Sequence, residues 1–229
     1  SRHAELDEWS PFRDQSWDLL PALETQAAAN AASLRSIGAP VFVVTPELLL
    51  DYPEATWLPN VVDVDSWAVD SAPLSSSVPR VLHAPTNPII KGSMLIDPVL
   101  TDLAAQGVIE VDRVTRIPPH EMPQRIAAAD VVVEQVRLGI YSTTAIEAMA
   151  SGRVVVGHVS EQVRDHVHRV TGRSVPIVEA TPVTLEDVLR DIAMNPEPYR
   201  RRAAEGTAFA RSVHDGSFSA RVLEGFLRS

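Results

Sequence analysis

The fold of this chain is decided by residues 130–156, DVVVEQVRLGIYSTTAIEAMASGRVVV. A run of β-branched residues predicts a buried strand, the loop after it holds Gly139, and a helix begins on three consecutive hydroxyl residues. Gly152 ends that helix, and a second β-branched run predicts another strand. Open parallel sheets bind ligands beyond the carboxyl ends of their strands, and a helix N-terminus placed there offers free N–H groups to an anion. We therefore expect this loop to bind an anion.

The alternation of strands and helices extends outward from this stretch in both directions. Short apolar runs bounded by turn residues alternate with the apolar periodicity of helices, which is the pattern of βαβ units. It predicts an α/β fold with a doubly wound parallel sheet. The predicted strands are 80–83, 108–114, 130–136, 153–158 and 175–178, and the helices outside the central stretch are 92–106, 122–129, 161–170, 184–194 and one or two within 196–227.

The N-terminal third is less regular and divides into two parts. Within residues 1–65, an alanine-rich run predicts a helix over 22–36, and a short strand follows at 41–44. These elements are too few to form a sheet, so we expect 1–65 to be the terminal part of another domain. The serine-rich segment 66–78 is the predicted linker, and residues 79–229 are the predicted main domain.

The composition excludes several classes of function. A formal net charge of −10 and a sequence pI near 5.1 argue against binding to nucleic acid or to anionic membranes. The lack of cysteine excludes disulfides and thiolate metal sites, and His166 and His168 point to different faces of a predicted helix, so no metal site is expected. No apolar stretch reaches the ~20 residues of a membrane span. The N-terminus is acidic and unlike a signal peptide, so we expect a cytoplasmic protein without a transmembrane segment.

Three loops follow three predicted strands and should meet at one edge of the sheet. The first, residues 83–92, carries Lys91 directly before a predicted helix, and an ammonium beside a helix N-terminus suits a phosphate. Composition alone favours the alternative of a solvated surface lysine. His83 ends the preceding strand, where a core histidine explains the pattern as well as a ligand contact does. Thr86 and Asn87 are further candidates for ligand binding in this loop.

The second loop, residues 116–121, contains Pro118 and His120. Prolines fix a backbone against which a planar base can lie, although a rigid strand-to-helix turn explains the same residues. In the third loop, Glu147 has two explanations that its spacing does not separate. With Thr144 it matches a capping box, which would stabilise the helix start, and its carboxylate also suits the paired hydroxyls of a ribose.

Three motifs follow from these loops and their strands. They are HAPTNxxxKG from residue 83, AAADVVV from residue 127 and GxYxxxAxEAMAxGxVV from residue 139. Together they resemble the donor half of the retaining, family-four glycosyltransferases of the GT-B fold. The run EAMAxG is the most specific part, and the resemblance covers about residues 40–229.

The resemblance implies a Rossmann-like nucleotide-sugar-binding domain at 79–229 and the end of a first GT-B domain at 1–65. A nucleotide-diphosphate sugar would be the donor substrate of a hexosyltransferase, with no cofactor and an acceptor that is not indicated. The family's donor-phosphate lysine matches Lys91, the predicted catalytic residue, and its ribose-binding glutamate matches Glu147. The other predicted substrate-binding residues are His83, Thr86, Asn87, Pro118, His120, Glu134, Gly139, Ile140, Tyr141, Ser142 and Thr143.

Departures from the family pattern bear on function. Gly139 stands where the family has the glutamate that contacts the donor sugar, and Glu134 is a carboxylate near it in sequence. The basic residue that the family often carries near Asn87 is absent, and most of a first domain is expected to be missing. One alternative is a catalytically degenerate domain that serves as a binding or assembly module. Another is a sugar-nucleotide epimerase of the same fold, which should lack the EAMAxG run.

Overall fold

The computed structural model describes residues 8–13, 18–114 and 117–228. Its strands are β1 (Phe42–Val43), β2 (Thr56–Trp57), β3 (Arg80–His83), β4 (Glu110–Arg113), β5 (Val131–Val133), β6 (Val154–Gly157) and β7 (Val178–Glu179). The last five form one sheet in the order β4-β3-β5-β6-β7, with every neighbouring pair parallel. A separate parallel pair, β1 and β2, lies in the N-terminal part. The predicted parallel α/β sheet is confirmed.

Helices connect the strands at the predicted places, with ends shifted by a few residues. They are α1 (Leu20–Ile37), α2 (Pro88–Lys91), α3 (Ser93–Ala105), α4 (Met122–Ala128), α5 (Thr143–Ala150), α6 (Glu161–Thr171), α7 (Leu185–Met194), α8 (Pro196–Phe209) and α9 (Ser217–Leu227). A 3-10 turn occurs at Pro46–Leu50, another at Pro119–Glu121, and a π-helical turn at Ala210–His214. The single turn α2 was not predicted. Within the described ranges, no helix has the length and apolar character to cross a membrane.

Side chains of the central strands alternate between two buried cores. Val132 of β5 and Val155 of β6 share one core with Ile146 of α5. Val131 belongs to the other core, together with Leu100 of α3. Helices α4, α5 and α6 cover the first core, whereas α3, α7 and α8 cover the second. Because both faces of the parallel sheet are covered, the doubly wound arrangement is confirmed.

The direction of strand addition reverses at β3. From β3 the chain moves to β4 on one side and then returns to β5 on the other. Parallel pairing aligns Val81 with Val131 and Leu82 with Val132, so β3 and β5 end at the same edge. Since α3 and α5 lie on opposite faces, their loops diverge and leave a crevice. Such a switch point is where open α/β sheets bind ligands.

The N-terminal part packs against the end of the chain. The ring of Phe42 in β1 meets that of Phe226 in α9, with 5.3 Å between the ring centroids. Trp57 of β2 is buried and donates from its indole nitrogen to the carbonyl of Val44 at 3.1 Å. The predicted strand near residue 42 is therefore present, and its partner β2 is a strand that the sequence analysis missed.

A buried hydrogen-bond chain joins this part to the loop before α5. His214 is 1% exposed, and its Nδ1 contacts the carbonyl of Asn60 at 2.8 Å while its Nε2 contacts the hydroxyl of Tyr141 at 3.3 Å. A carbonyl only accepts, so Nδ1 carries the proton and Nε2 accepts from Tyr141. Burial lowers the pKa of His214 to about 4 and raises the pKa of Tyr141. Both side chains are therefore neutral near pH 7.

The predicted linker, residues 66–78, is attached to the amino end of the sheet. Asp130 accepts hydrogen bonds from the backbone N–H of Leu74 at 2.5 Å and of Arg80 at 2.8 Å. Arg200 of α8 donates to the carbonyl of Leu74 at 2.6 Å. Leu74 is 1% exposed and has a φ of 59°, which non-glycine residues rarely adopt. The segment thus packs against the sheet, where Leu74 shares a core with Val81 of β3.

We expect Leu74→Ala to lower the free energy of unfolding by about 2–5 kcal/mol, because a fully buried leucine leaves a cavity when it is truncated. Urea denaturation followed by circular dichroism measures the change. Leu227→Ala is the matched control, since Leu227 is 80% exposed. Equal losses in the two variants would contradict the packing of residues 66–78 against the sheet.

Acid should destabilise the protein through His214. Its pKa falls from 6.5 to about 4 on folding. Between these pH values the imidazole of the unfolded state is protonated, whereas that of the folded state is neutral. Stability is therefore lost as the pH falls from about 6.5 to 4, by up to about 3 kcal/mol from this residue. Urea midpoints across this range measure the loss. A His214→Gln variant with the same pH profile as the wild type would disprove the assignment.

Candidate functional site

Lys91, Glu134 and Ser142 meet in the crevice between β3 and β5. The ammonium of Lys91 contacts the Oε1 atom of Glu134, and it lies 2.9 Å from the hydroxyl of Ser142. That hydroxyl is also 2.6 Å from Oε1 of Glu134, so it donates to the carboxylate and accepts from the ammonium. The side chains of Lys91 and Glu134 are only 13% and 3% exposed. A cation, a carboxylate and a hydroxyl are thus gathered at the switch point.

The short helix α2 and Gly92 hold Lys91 in position. Asn87 caps α2, because its Oδ1 accepts from two backbone N–H groups of the helix at 3.1 and 3.2 Å. Gly92 then reverses the chain with a φ of 80°, and a Cβ atom there would lie 2.8 Å from Cγ of Arg137. Lys91 therefore ends α2 and precedes α3 by two residues. The prediction that it directly precedes the long helix was wrong by one position, because α2 forms its own turn.

Gln135 holds the loop between β5 and α5. Its Oε1 accepts from the backbone N–H of Arg137 at 2.8 Å and of Leu138 at 2.7 Å. Its Nε2 donates to the carbonyls of Ile140 and His158, at 2.6 Å each. The residue is fully buried. Gln135 was not among the predicted site residues, although a polar side chain after a β-branched run was the available indication.

The same loop brings the first turn of α5 to the crevice. Gly139 turns the chain with a φ of 65°, and Ser142 is the N-cap residue, although its side chain makes no cap hydrogen bond. Within the part of the chain that the structure describes, no hydrogen bond uses the backbone N–H of Ile140, Tyr141 or Ser142. These N–H groups lie directly before the helix, and free N–H groups beside a helix N-terminus favour an anionic ligand.

Glu147 lies in the second turn of α5 and does not form a capping box. The helix begins at Thr143, so Thr144 is its second residue and not its N-cap. The capping-box explanation was therefore wrong. Partial burial raises the pKa of Glu147 to about 7, and no hydrogen bond or cation among the described residues offsets this effect. The explanation that Glu147 accepts hydroxyls of a ligand remains.

Two of the predicted site residues use their side chains inside the protein. His83 is 2% exposed, and its Nδ1 and Nε2 lie 2.9 Å from the carbonyl of Val133 and from the hydroxyl of Ser93 respectively. Burial lowers the pKa of His83, which keeps it neutral. The hydroxyl of Tyr141 is bonded to His214 in the core. These placements favour structural roles for both side chains over contact with a ligand.

The remaining predicted residues differ in exposure. Asn87 is exposed apart from its role as a cap, and Ile140 is half-buried. Residues 115 and 116, at the start of the second predicted loop, lie outside the described residues. Four further side chains are exposed and available to a ligand, namely Thr86, Pro118, His120 and Thr143. The amide of Asn60, which the sequence analysis did not select, lies 3.5 Å from the hydroxyl of Thr143.

A cavity of about 1480 Å³ lies beside the crevice. It is bounded by α1, the turn Pro46–Leu50 and the loops after β5 and β6, and of the predicted site residues only Ile140 is among its described lining. Glu179 contacts His158 at 2.5 Å and Arg164 at 2.8 Å on its polar wall. Burial opposes ionisation of Glu179, but these hydrogen bonds outweigh it and lower its pKa. The carboxylate of Glu179 is thus paired within the protein.

Comparison with known proteins gives a likeness in fold. No protein-family model matches the chain, and no curated protein matches it. Among solved structures, HepE of Anabaena, in complex with UDP and glucose, has a TM-score of 0.60 at 12% identity, over 83% of this chain and 63% of its own. Sucrose-phosphate synthase of Thermosynechococcus elongatus has a TM-score of 0.54 at 16% identity, over 82% of this chain and 57% of its own. WaaG, a glycosyltransferase involved in lipopolysaccharide biosynthesis, has a TM-score of 0.54 at 13% identity, over 79% of this chain and 60% of its own.

The chain spans less than two thirds of the length of each of these structures. At such low identities, the superposition establishes a shared architecture and does not extend to ligands. The shared architecture is the parallel five-stranded sheet with helices on both faces. The chain therefore has the Rossmann-like fold of the GT-B glycosyltransferases.

Proposed function

We propose that the chain binds a nucleotide-diphosphate sugar in the crevice between β3 and β5, as the donor-binding half of a glycosyltransferase. The observation that carries this proposal is the convergence of Lys91 and the first turn of α5 at the switch point. A diphosphate requires a cation and aligned N–H donors, and this arrangement offers both. HepE, which shares the fold, forms complexes with UDP and with UDP-glucose.

The chemistry of sugar transfer assigns a role to each group. The bond between the sugar and the diphosphate breaks, and negative charge accumulates on the departing phosphate oxygen. Fixed donors that stabilise such charge are a large part of catalysis. In our proposal Lys91 is the catalytic cation, the N–H groups of Ile140, Tyr141 and Ser142 bind the diphosphate, and Glu147 accepts the ribose hydroxyls. Transfer with retention of the anomeric configuration belongs to the same proposal.

The nucleotide base and the acceptor are assigned to regions of the protein and not to single contacts. The nucleotide base would lie against the exposed loop that contains Pro118 and His120. The acceptor would bind between this domain and a first domain, of which residues 1–65 are the proposed end. We further propose that the protein acts in the cytoplasm and does not bind nucleic acid.

A second candidate function is a catalytically degenerate domain that serves as a binding or assembly module. Two observations favour it, since residue 139 is a glycine and Lys91 is already paired with Glu134. An assay of sugar transfer and donor hydrolysis on the longest natural form of the chain separates the two functions. Release of UDP from UDP-sugars supports the enzyme, whereas binding without turnover supports the module.

We expect Lys91→Ala to weaken UDP binding by at least about tenfold and Glu147→Ala by about two- to tenfold, because hydrogen bonds to a charged group contribute more than neutral ones. Isothermal titration calorimetry with UDP measures both. Arg202→Ala is the control for the loss of a cation, since Arg202 is an exposed residue of α8 that pairs with Glu205 at 3.3 Å. Unchanged affinity in both site variants would contradict the assigned site.

Glu147 should make UDP binding depend on pH. Its pKa of about 7 means that the carboxyl loses its proton mainly between pH 6 and 8. A carboxylate accepts two hydroxyl hydrogen bonds better than a carboxylic acid does, so the affinity of the wild type should rise across this range. In Glu147→Gln only ionisation of the phosphate remains, and the rise should be several-fold smaller. Identical profiles in the two proteins would remove Glu147 from the ribose site.

A further inference from the structure

Lys91 is the single lysine of the 229 residues, and every other residue in the Lys and Arg total is an arginine. An ammonium has three donors, and two acceptors contact it here, the carboxylate of Glu134 and the hydroxyl of Ser142. The protein itself therefore places an anionic group on the cation that the proposed function assigns to a phosphate.

Glu134 is fixed in this position by its backbone. Its N–H donates to the carbonyl of Val156 at 2.9 Å, in continuation of the β5–β6 pairing. Gly157 lies alongside, where a Cβ atom would be 3.7 Å from Cβ of Glu134. Since the sheet holds the main chain, the carboxylate itself can move only by rotation of its own side chain.

Among the described residues, Lys91 is the cation that contacts the carboxylate of Glu134. His83 interacts electrostatically with Glu134, but burial lowers the pKa of this histidine and keeps it neutral. Arg137 donates to the carbonyls of Trp9 and Ile89, at 2.6 and 3.1 Å. A ligand that removes Lys91 from Glu134 therefore leaves a buried carboxylate without its cation, which is unfavourable.

We propose that Glu134 is an internal competitor of the ligand, whose carboxylate must leave Lys91 before an anion can bind there, so that it lowers the affinity of the site for every anion and only a ligand with further contacts, such as a diphosphate, binds tightly. A carboxylate or phosphomonoester merely exchanges one contact on Lys91 for another. A diphosphate also presents a second phosphoryl group to the N–H groups at the start of α5, and this offsets the displacement of Glu134. The cost of displacing Glu134 is the same for each of these ligands, so it sets a threshold of affinity that only the better-held diphosphate passes. The inference rests on the proposed function.

The test compares UDP with UMP as ligands of the wild type, Glu134→Gln and Glu110→Gln, by titration calorimetry. Glutamine keeps the shape of Glu134 but removes its charge, so the affinities for UMP and for UDP should both rise at least tenfold. Glu110→Gln is the matched control, because Glu110 is an exposed glutamate at the amino end of β4 and should leave both affinities unchanged. Unchanged or weaker binding of either nucleotide by Glu134→Gln would overturn the inference.

A second measurement separates this inference from the proposed function. Protein labelled with ¹³Cε-lysine gives one lysine NMR signal, which belongs to Lys91. If UDP binds none of the three proteins, the proposed function fails, and titration with inorganic pyrophosphate then tests the competition alone. Saturation of the Lys91 shift at a pyrophosphate concentration at least tenfold lower in Glu134→Gln than in the wild type supports the competition. Equal concentrations, or no response in any variant, overturn it.

Discussion

The parallel pairing of β3 with β5 is the constraint on which the rest of the structure depends. Because the two strands run in the same direction and in a fixed register, the residues after them leave the sheet at one edge. Lys91 arrives there from one strand, and Glu134 and Ser142 arrive from the other. The opposite placement of α3 and α5 keeps this edge open. The candidate site is therefore a consequence of the topology, and the loops only refine it.

The type of each main element could be predicted because its cause is local. β-branched runs and apolar periodicity are patterns within about ten residues of sequence, and the segments that carry them form the expected strands and helices. The ends could not be predicted, since pairing with a neighbour decides them. The strand expected over 130–136 stops at Val133, where Glu134 turns to Lys91 and Gln135 turns to the loop carbonyls. The residues that leave the strand early are the ones that build the site.

The candidate site was predictable as a set of residues but not as a set of contacts. The bond between Lys91 and Ser142 joins positions 51 residues apart, which spacing cannot reveal. The capping-box hypothesis failed for the converse reason, because Thr144 and Glu147 match a local pattern while the helix starts two residues earlier than that pattern requires. His83 was ambiguous from its strand alone, and the hydroxyl of Ser93 accounts for its second nitrogen. The hydrogen bonds of Gln135 likewise depend on partners across the loop.

The chemistry of the single lysine has a consequence for proteolysis. A protease that cuts only after lysine has one target bond in these 229 residues, between Lys91 and Gly92. That bond lies at a reversal of the chain with a φ of 80°, packed against Arg137, and the lysine side chain is 13% exposed. Proteases bind an extended strand of substrate, so cleavage requires the crevice to open locally. The rate of cutting therefore measures how often the crevice opens and exposes Lys91. The cut separates β3 from β4, β5, β6 and β7, the four strands of its sheet that follow it in the chain.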